Sequence, residues 1–472
     1  MDDALLPSTE AIHGWIEEVF AQGVRRPGYP ADAWAEEWIA ERFRALGLDG
    51  VRLEPVPVRR WEPRSWSLEV ASVSGASRVL DCFPLPFAAP CDGLEAELAA
   101  FDPSDPAAVR GRVALRDVGF LHVPADLFVP AGERERRVHD PDGTLGELHA
   151  LPFGIALGTE ADPVAAAGAA AFVGVLTGYP GDSCRYYVPY HGRRVEVPGV
   201  WVREDDGAWL RDRLAAGPVR VRLTVDAVDE PATSHNVVGE LPGADDDVVI
   251  VGSHHDGPWA SAVEDGSGIA LVLAQAEYWA RVPAAERPHR LVFLLHGGHM
   301  SGGAGLHGFI ERHRAELDRV VLEVHLEHAS VETGGAGGAG VAGRPVPRWF
   351  FTSRIPRLEA AVHEALVAED LRRSMVLPPD AIGERPPTDG GFYADEGVPI
   401  VNFLAAPWYL FDEQDTPDKV DRTNLVPLTR ATIRVIESTC GVSAAALRQA
   451  ADDEVGGGAG AGSGPGSGPA GV

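Results

Sequence analysis

Three apolar strands that alternate with helices constrain the fold of this 472-residue chain more than any other feature. The segments VVIVGSHHD, HRLVFLLHGG and RVVLEVHLEHAS have the apolar runs of buried strands, and SGIALVLAQAEYWARV has helical spacing. Strands that alternate with helices in this way favour a mostly parallel sheet with helices on both faces. We therefore predict an α/β core that extends from residue 229 to residue 450.

The chain before this core divides into two regions that differ in their predicted secondary structure. Residues 1–75 begin with helical patterns such as ADAWAEEWIAERFRALGL and end in the alternating segment VRLEPVPV, so we assign them to the core as its N-terminal helical part. Residues 76–228 contain short β-like runs and turns, with one small-residue helix predicted in ADPVAAAGAAAFVGVL, which indicates an inserted β-rich domain. Residues 451–472 end in GGGAGAGSGPGSGPAGV and are predicted to be disordered.

Composition excludes several classes of partner. The formal net charge is -29, and acidic residues are spread along the chain, so a nucleic acid or an anionic membrane is an unsuitable ligand. The N-terminus shows no basic segment followed by an apolar one, and no apolar run approaches membrane-spanning length. The four cysteines show no CxxC spacing. We therefore expect a cytoplasmic globular protein with free thiols.

Side chains that can bind metal ions follow each of the three predicted strands. They are His254, His255 and Asp256 with the next loop's Glu264 and Asp265, then His296 and His299, then His325, Glu327 and His328. The carboxyl ends of parallel strands meet at one edge of a sheet, where ligands bind in α/β folds. Imidazole and carboxylate together suit zinc, iron, cobalt, nickel or manganese. The sequence therefore predicts a metal site at this edge.

Several longer motifs resemble the M28 family of zinc aminopeptidases and carboxypeptidases, with a protease-associated (PA) domain inserted before the catalytic core. NVVGELPG with VVIVGSHHDG resembles the family's opening strand and HxD motif, and EDGSGIALVLAQA resembles its acidic, glycine-rich helix start. TDGGFYADEGVPIVNF and DEQDTPDKVD are similar to its two C-terminal signatures, and GAAAFVGVL and VPGVWVREDDGAWL are similar to the PA domain. The resemblance covers most of the chain and implies a zinc-exopeptidase-like core, of the phosphorylase/hydrolase-like kind, with a PA-like insert.

The resemblance also implies a set of metal ligands. His254 matches a metal-binding histidine of the family, and Asp256 matches the acid that orients this ring through its second nitrogen. Glu264 stands where the family has a bridging aspartate, and Glu327 stands at the next acidic ligand. With His299 as a candidate fourth ligand, these residues imply one divalent ion rather than two. Zinc is expected, with iron, manganese or cobalt as alternatives.

Three positions depart from the family pattern. Gly298 stands where the family has the glutamate that serves as general base, and His299 stands where it has a carboxylate ligand. Phe411 stands at the last histidine ligand, and phenylalanine binds no metal. Loss of the base would remove a contribution of about 10²- to 10⁴-fold in rate. His296 and His328 are the candidates for an acid/base role in its place.

The sequence leaves three classes of function open. The first is a metal-dependent hydrolase that acts on an amide or peptide bond, with a small peptide or an aminoacyl amide as substrate. The second is a biosynthetic enzyme of the same fold that carries out acyl transfer or cyclisation at a single metal ion. The third is a catalytically inactive homologue that binds a peptide or another partner.

Overall fold

The structure of the protein is a computed structural model that describes residues 1–71, 77–152, 159–334 and 340–450. The predicted boundary at residues 75 and 76 and the predicted disordered tail, residues 451–472, lie outside this described part. The strands are β1 Asp49–Val70, β2 Arg78–Leu80, β3 Phe83–Pro84, β4 Cys91–Ala100, β5 Val113–Gly119, β6 Leu121–Pro124, β7 Val138–His139, β8 Leu148–Leu151, β9 Ala171–Thr177, β10 Gly199–Arg203, β11 Arg220–Leu241, β12 Val248–His254, β13 Arg290–His296, β14 Val320–Leu326, β15 Arg348–Thr352, β16 Ser374–Leu377 and β17 Ile400–Ala405.

Ten α-helices accompany these strands in the described residues. They are α1 Thr9–Phe20, α2 Pro30–Ala45, α3 Arg134–Arg137, α4 Asp162–Ala166, α5 Glu204–Ala216, α6 Gly268–Arg281, α7 Ala304–His313, α8 Pro356–Ala368, α9 Gly391–Asp395 and α10 Leu425–Glu437. Among the described residues, none of these helices has the length and hydropathy that crossing a bilayer requires. Helix α6 is almost wholly buried because it packs against β12 and lies between α1 and α10.

The core of the sheet is parallel and covered by helices. Its central strands follow the order β13, β12, β14, β17, and each pairs in parallel with its neighbour. Every residue of β12 and β14 is buried, which explains why both segments read as unbroken apolar runs. Beyond β17, strand β15 runs antiparallel, and β16 then pairs in parallel with β15. The structure confirms the predicted α/β class and the mostly parallel, helix-covered core.

A long antiparallel ribbon joins the core to the region that precedes it in the chain. Strands β1 and β11 each have 22 residues and pair from Asp49 with Glu240 to Val70 with Val221. The core half of β11 pairs with β13, and its other half pairs with β4. Strands β4, β5, β9 and β10 then continue as a parallel sheet. The PA-like identity and the domain boundaries given to residues 76–228 stay predictions.

Two local predictions need correction. The segment VRLEPVPV is only part of β1, because alternating burial continues to Val70 as the strand leaves the core. The helix predicted over ADPVAAAGAAAFVGVL is limited to α4, and the AFVGVL half forms the buried strand β9 instead. Gly168 has a φ of +78°, which ends the helix, and the aromatic and β-branched residues that follow favour a strand.

Candidate metal centre

The carboxyl ends of β12, β13 and β14 bring the predicted metal-binding side chains together. His254 pairs with His296 at the last position of the β12 and β13 ladder, and β14 ends one residue before Glu327. The loop that follows β12 returns Glu264 to the same edge. All of these side chains are buried, and His299 has a relative exposure of only 7%. We call this group of strand-end residues the metal centre.

Three ligand atoms of the metal centre have the spacing of a metal-binding set. The distance from His254 Nε2 to Glu264 Oε1 is 3.6 Å, and that from His299 Nε2 to the same oxygen is 3.5 Å. Tetrahedral zinc with bonds of about 2.0–2.1 Å places its ligand atoms about 3.3–3.4 Å apart. All three ligand atoms lie within 4.8 Å of one another. The predicted ligands His254, Glu264 and His299 therefore form one candidate site.

Polar groups lie beside the second ring nitrogens of both imidazoles. His254 Nδ1 lies 2.8 Å from the backbone oxygen of Asp256, and His299 Nδ1 lies 2.9 Å from Asp389 Oδ2. The two rings stack with centroids 3.9 Å apart. A histidine that donates from Nδ1 presents the lone pair of Nε2 to a metal ion. At His254 this hydrogen bond favours the tautomer that metal binding requires.

Asp256 acts through different atoms from those predicted. Its carboxylate does not reach the His254 ring but accepts the backbone amides of His299, at 3.0 Å, and Met300, at 2.8 Å. The chain turns after β12, so the backbone carbonyl of Asp256 folds back to the ring while the carboxylate faces the end of β13. The residue orients His254 by its backbone and His299 by its side chain, which is a positioning role.

A second group of ligand atoms lies beside the first and shares His254 with it. His254, Asp265 and His328 offer atoms within 4.8 Å of one another, and His254 Nε2 is 3.9 Å from Asp265 Oδ2. His328 Nε2 contacts the second oxygen of Glu264. Asp265 was among the potential ligands at the strand ends, but it was not included in the predicted ligand set. It also accepts the amide of Gly268 at the start of α6, at 2.7 Å.

Glu327 is placed differently from the other predicted ligands. Its Oε1 lies 3.0 Å from His325 Nε2, and His325 Nδ1 lies 2.9 Å from Glu323 Oε1. It belongs to none of the three groups of ligand atoms found among the described residues. The role of Glu327 as a metal ligand stays a prediction.

Of the two candidates for an acid/base role, His296 has the freer ring. Neither of its nitrogens has a hydrogen-bond partner among the described residues, and its Nε2 lies 3.6 Å from Asp389 Oδ2. Burial lowers the pKa of His296 well below its ordinary value, so the ring is neutral near pH 7. His328, by contrast, is held at both nitrogens, by Glu264 and by the backbone oxygen of Ala405.

The backbone at the end of β13 leaves little room for side chains at two successive glycines. Gly298 has a φ of +75°, and a Cβ there would lie 3.2 Å from Val58 Cγ1. A Cβ on Gly297 would lie 2.3 Å from the hydroxyl of Ser234. Neither position accepts a side chain without strain or displacement. The local fold therefore favours glycine at both positions.

His255 belongs to a separate buried cluster that the sequence pattern did not reveal. Its Nδ1 lies 3.0 Å from Asp32 Oδ1, and its Nε2 lies 2.8 Å from the backbone oxygen of His235. Glu36 accepts from the amide and the ring of His235. Asp32 and Glu36 lie on α2, about 200 residues away in the sequence, which is why no spacing could predict them.

The donor set of the metal centre fits a divalent cation. The buried atoms His254 Nε2 and Glu264 Oε1 have no hydrogen-bond partner among the described residues. Burial, with the neighbouring histidines, lowers the pKa of His254 well below its ordinary value, which leaves the neutral ring that metals bind. At His299 burial acts in the same direction, but the carboxylate of Asp389 outweighs it and raises the pKa to about 10, so a metal ion that binds this ring must displace a proton from it.

The comparisons with known proteins concern the family and the fold. Residues 236–436 match the family model of Peptidase family M28. A probable leucine aminopeptidase 2 of Arthroderma benhamiae is 25% identical over 234 residues, which span 49% of this chain and 39% of that protein. The chain therefore aligns with less than half of the length of this relative.

Solved structures show the same fold over nearly the whole chain. A zinc aminopeptidase from Bacillus subtilis is 18% identical, with a TM-score of 0.65 over 91% of this chain and 95% of that one. A Peptidase M28 precursor from Shewanella amazonensis is 19% identical, with a TM-score of 0.68 over 91% and 93%. An aminopeptidase from an Aneurinibacillus species is 17% identical, with a TM-score of 0.63 over 92% and 94%. Residues 236–436, which contain every predicted metal ligand, thus belong to peptidase family M28.

Proposed function

We propose that this protein is a metal-dependent hydrolase of peptide or amide bonds that uses one divalent ion, zinc in the first instance. The observation that carries the proposal is the convergence of His254 Nε2, His299 Nε2 and Glu264 Oε1 in a buried group with the spacing of metal ligands. Membership of residues 236–436 in a metallopeptidase family supports it independently.

The metal centre would hold the ion and orient the reacting groups. A divalent ion held there would polarise a carbonyl oxygen and make a water molecule more acidic. His254 and His299 present Nε2 because the backbone oxygen of Asp256 and the carboxylate of Asp389 hold their other nitrogens. Glu264 contributes the negative charge that favours a cation, and its second oxygen is fixed by His328.

His296 is proposed as the proton acceptor in place of the missing glutamate. Its ring is neutral, unbonded and 5.9 Å, centroid to centroid, from that of His254. Asp389, which lies 3.6 Å from His296 Nε2, would stabilise the imidazolium that forms when this ring takes a proton. Imidazole would thus do what a carboxylate does elsewhere in the family.

The proposed substrate is a small peptide or an aminoacyl amide with a free N-terminus. The names of the aligned relative and of the structural neighbours, which are aminopeptidases, support this class. The buried position of the metal centre and the changed base favour a narrower range of substrates than a general aminopeptidase accepts.

Metal removal and reloading test the proposal. The protein, stripped with a chelator and reloaded with zinc, cobalt, manganese or iron(II), should hydrolyse members of a panel of aminoacyl and dipeptide amides only after reloading. His296→Gln should lower kcat by about 10²- to 10⁴-fold and leave the metal content unchanged. His289→Gln is the matched control, because His289 is also buried but contacts Asp245 and the backbone of Thr439.

Hydrolysis that persists without metal would overturn the proposal. So would a protein that binds no divalent ion at all. A metal-loaded protein that transfers or cyclises an acyl group without releasing a hydrolysis product would instead support the biosynthetic alternative.

A further inference from the structure

Residues 184–192 carry the inserted region to the metal centre, and we call them the insert segment. The amide of Tyr187 donates to the backbone oxygen of Phe411, and the backbone oxygen of Tyr190 accepts the amide of Gly302, each at 2.9 Å. A Cβ on Gly192 would lie 2.9 Å from the backbone oxygen of Ser301. The insert segment is thus packed tightly against two core loops, one that carries His299 and one that carries Phe411.

Aromatic rings extend this contact into the metal centre. Tyr190 stacks on His299 with centroids 5.3 Å apart and an interplanar angle of 22°. It also stacks on Phe411, at 5.0 Å and 21°. His299 in turn stacks on His254, at 3.9 Å. The ring of Tyr190 therefore forms one wall of the candidate site, although it comes from outside the core.

The hydroxyl of Tyr190 differs from those of its neighbours. Tyr179 donates to the carboxylate of Asp412, and Tyr186 lies 3.5 Å from the backbone oxygen of Trp408. Within the described part of the chain, the Tyr190 hydroxyl has no hydrogen-bond partner, and its side chain is only partly buried. This phenol is therefore available to a ligand, whereas the other two are committed to the protein.

The Tyr190 phenol keeps its proton beside the metal centre. Enclosure of the group, together with the carboxylates of Asp389, Glu264 and Glu327, raises the pKa of Tyr190. Carboxylates only accept hydrogen bonds, and the predicted ligand atoms would be occupied by the ion. Because its ring stacks on His299, Tyr190 is thus an uncommitted donor next to the site.

We propose that Tyr190 is a substrate-contacting residue that the insert segment supplies to the metal centre, where its hydroxyl donates a hydrogen bond to the carbonyl oxygen of the scissile amide. This inference rests on the proposed hydrolytic function. The carbonyl oxygen gains negative charge as water attacks, and a donor aimed at that oxygen stabilises the charge. The phenol keeps its proton throughout, so it exchanges no atom with the substrate.

The test compares Tyr190→Phe with Tyr186→Phe in the full-length, metal-loaded protein. Tyr190→Phe keeps the ring stack but removes the donor, so kcat should fall about 10- to 100-fold with little change in KM and none in metal content. Tyr186→Phe removes a hydroxyl from the same insert segment and should leave kcat unchanged. A leucine hydroxamate, whose oxygen binds metals as a carbonyl does, provides a readout besides activity. Calorimetry should show about 10-fold weaker binding to Tyr190→Phe.

The outcomes separate this inference from the proposed function. Active wild-type protein with equal kcat and hydroxamate affinity in Tyr190→Phe would overturn the role of Tyr190 and leave hydrolysis standing. Wild-type protein that hydrolyses nothing on the panel, but binds the hydroxamate more tightly than Tyr190→Phe does, would support Tyr190 and overturn hydrolysis. Metal-loaded protein that binds no hydroxamate would overturn both.

Discussion

The carboxylate of Asp415 accepts a hydrogen bond from the backbone amide of Glu264, at 2.8 Å. Its other oxygen accepts the amide of Val263, also at 2.8 Å. From the opposite side, the buried guanidinium of Arg25 donates to the backbone oxygens of His255 and Ser261. Two side chains therefore hold the backbone of the loop that carries the proposed carboxylate ligand. They are Asp415, an acid of the DEQD segment, and Arg25, which lies near the N-terminus.

Replacement of Asp415 should weaken metal binding without touching a ligand. Asp415→Ala leaves two buried amides without an acceptor, so the free energy of unfolding should fall by about 2 to 4 kcal/mol. Metal affinity should fall about 10-fold or more, because Glu264 loses its fixed position. Urea unfolding and competition with a chromophoric chelator measure the two effects. Asp418→Ala, an exposed acid of the same segment, should change neither, and unchanged affinity in Asp415→Ala would contradict this account.

The number of ions provides a direct prediction. Protein purified without added metal should contain about one divalent ion per chain by elemental analysis, and His254→Ala should contain almost none, because two of the three candidate groups of ligand atoms in the described residues include His254 and only the group of Asp32, Glu36 and His255 does not. His289→Gln should keep the full content. Full metal content in His254→Ala would show that the site is elsewhere, and two equally occupied ions in the parent protein would contradict the single-ion assignment.

Asp389 should affect metal binding through His299. The carboxylate lies 2.9 Å from His299 Nδ1, and loss of such a partner typically lowers metal affinity about 10- to 100-fold. We expect this loss in Asp389→Ala, measured by chelator competition, and no change in Asp395→Ala, whose side chain pairs with Arg385 at the surface. In the double variant with His299→Ala, removal of Asp389 should have little further effect. Additive losses would show that Asp389 acts by another route.

Gly298 should not tolerate the glutamate that the sequence resemblance implies at its position. Its φ of +75° and the nearby Val58 side chain predict that Gly298→Glu loses about 1 to 3 kcal/mol of unfolding free energy and gains no activity. Gly308→Ala is the matched control, since Gly308 lies in α7 with nothing within 4 Å of an added Cβ, and it should gain about 0.5–1 kcal/mol. A stable, more active Gly298→Glu protein would refute the backbone argument.

His149 should make the protein less stable in mild acid. Burial, with the adjacent Arg373, lowers its pKa to about 4 from an ordinary value of 6.5. Between these values the unfolded chain binds the proton and the folded protein does not, so stability rises with pH and falls as the solution is acidified. From pH 7 to pH 5 this group should cost about 2 kcal/mol. Urea unfolding at both pH values should show a smaller decrease in His149→Gln, and an equal decrease would contradict the assignment.

The sequence predicted those parts of the site that adjacent strands create. Buried parallel strands read as apolar runs, and their ends meet at one edge, so His254, His299 and Glu264 could be placed together from the sequence alone. Asp415 and Tyr190 could not be placed in this way, because their contacts with Glu264 and His299 join segments more than 100 residues apart. Such contacts depend on tertiary packing, which leaves no periodic pattern in the sequence.

Local conformational preferences explain the remaining differences. Alanine favours a helix, so ADPVAAAGAAAFVGVL reads as one, but Gly168 in the left-handed conformation ends α4 and tertiary pairing turns the rest into β9. Likewise, the HxD spacing predicted that the carboxylate of Asp256 contacts the ring of His254. Because the chain turns after β12, the backbone oxygen of Asp256 makes this contact instead. Spacing identifies neighbours, whereas the path of the backbone decides which of their atoms meet.

The ribbon of β1 and β11 has a mechanical consequence for the protein. Each strand of 22 residues spans about 70 Å at 3.3 Å per residue, and the pairing is interrupted only by irregularities near Asp49 and Pro63. A hydrogen-bonded ladder resists bending far more than a flexible tether does. The core end of the ribbon pairs with β13, the strand that leads to His296 and His299. The region that carries Tyr190 is therefore joined to the strand behind the metal centre by a hydrogen-bonded ladder and not by a flexible tether.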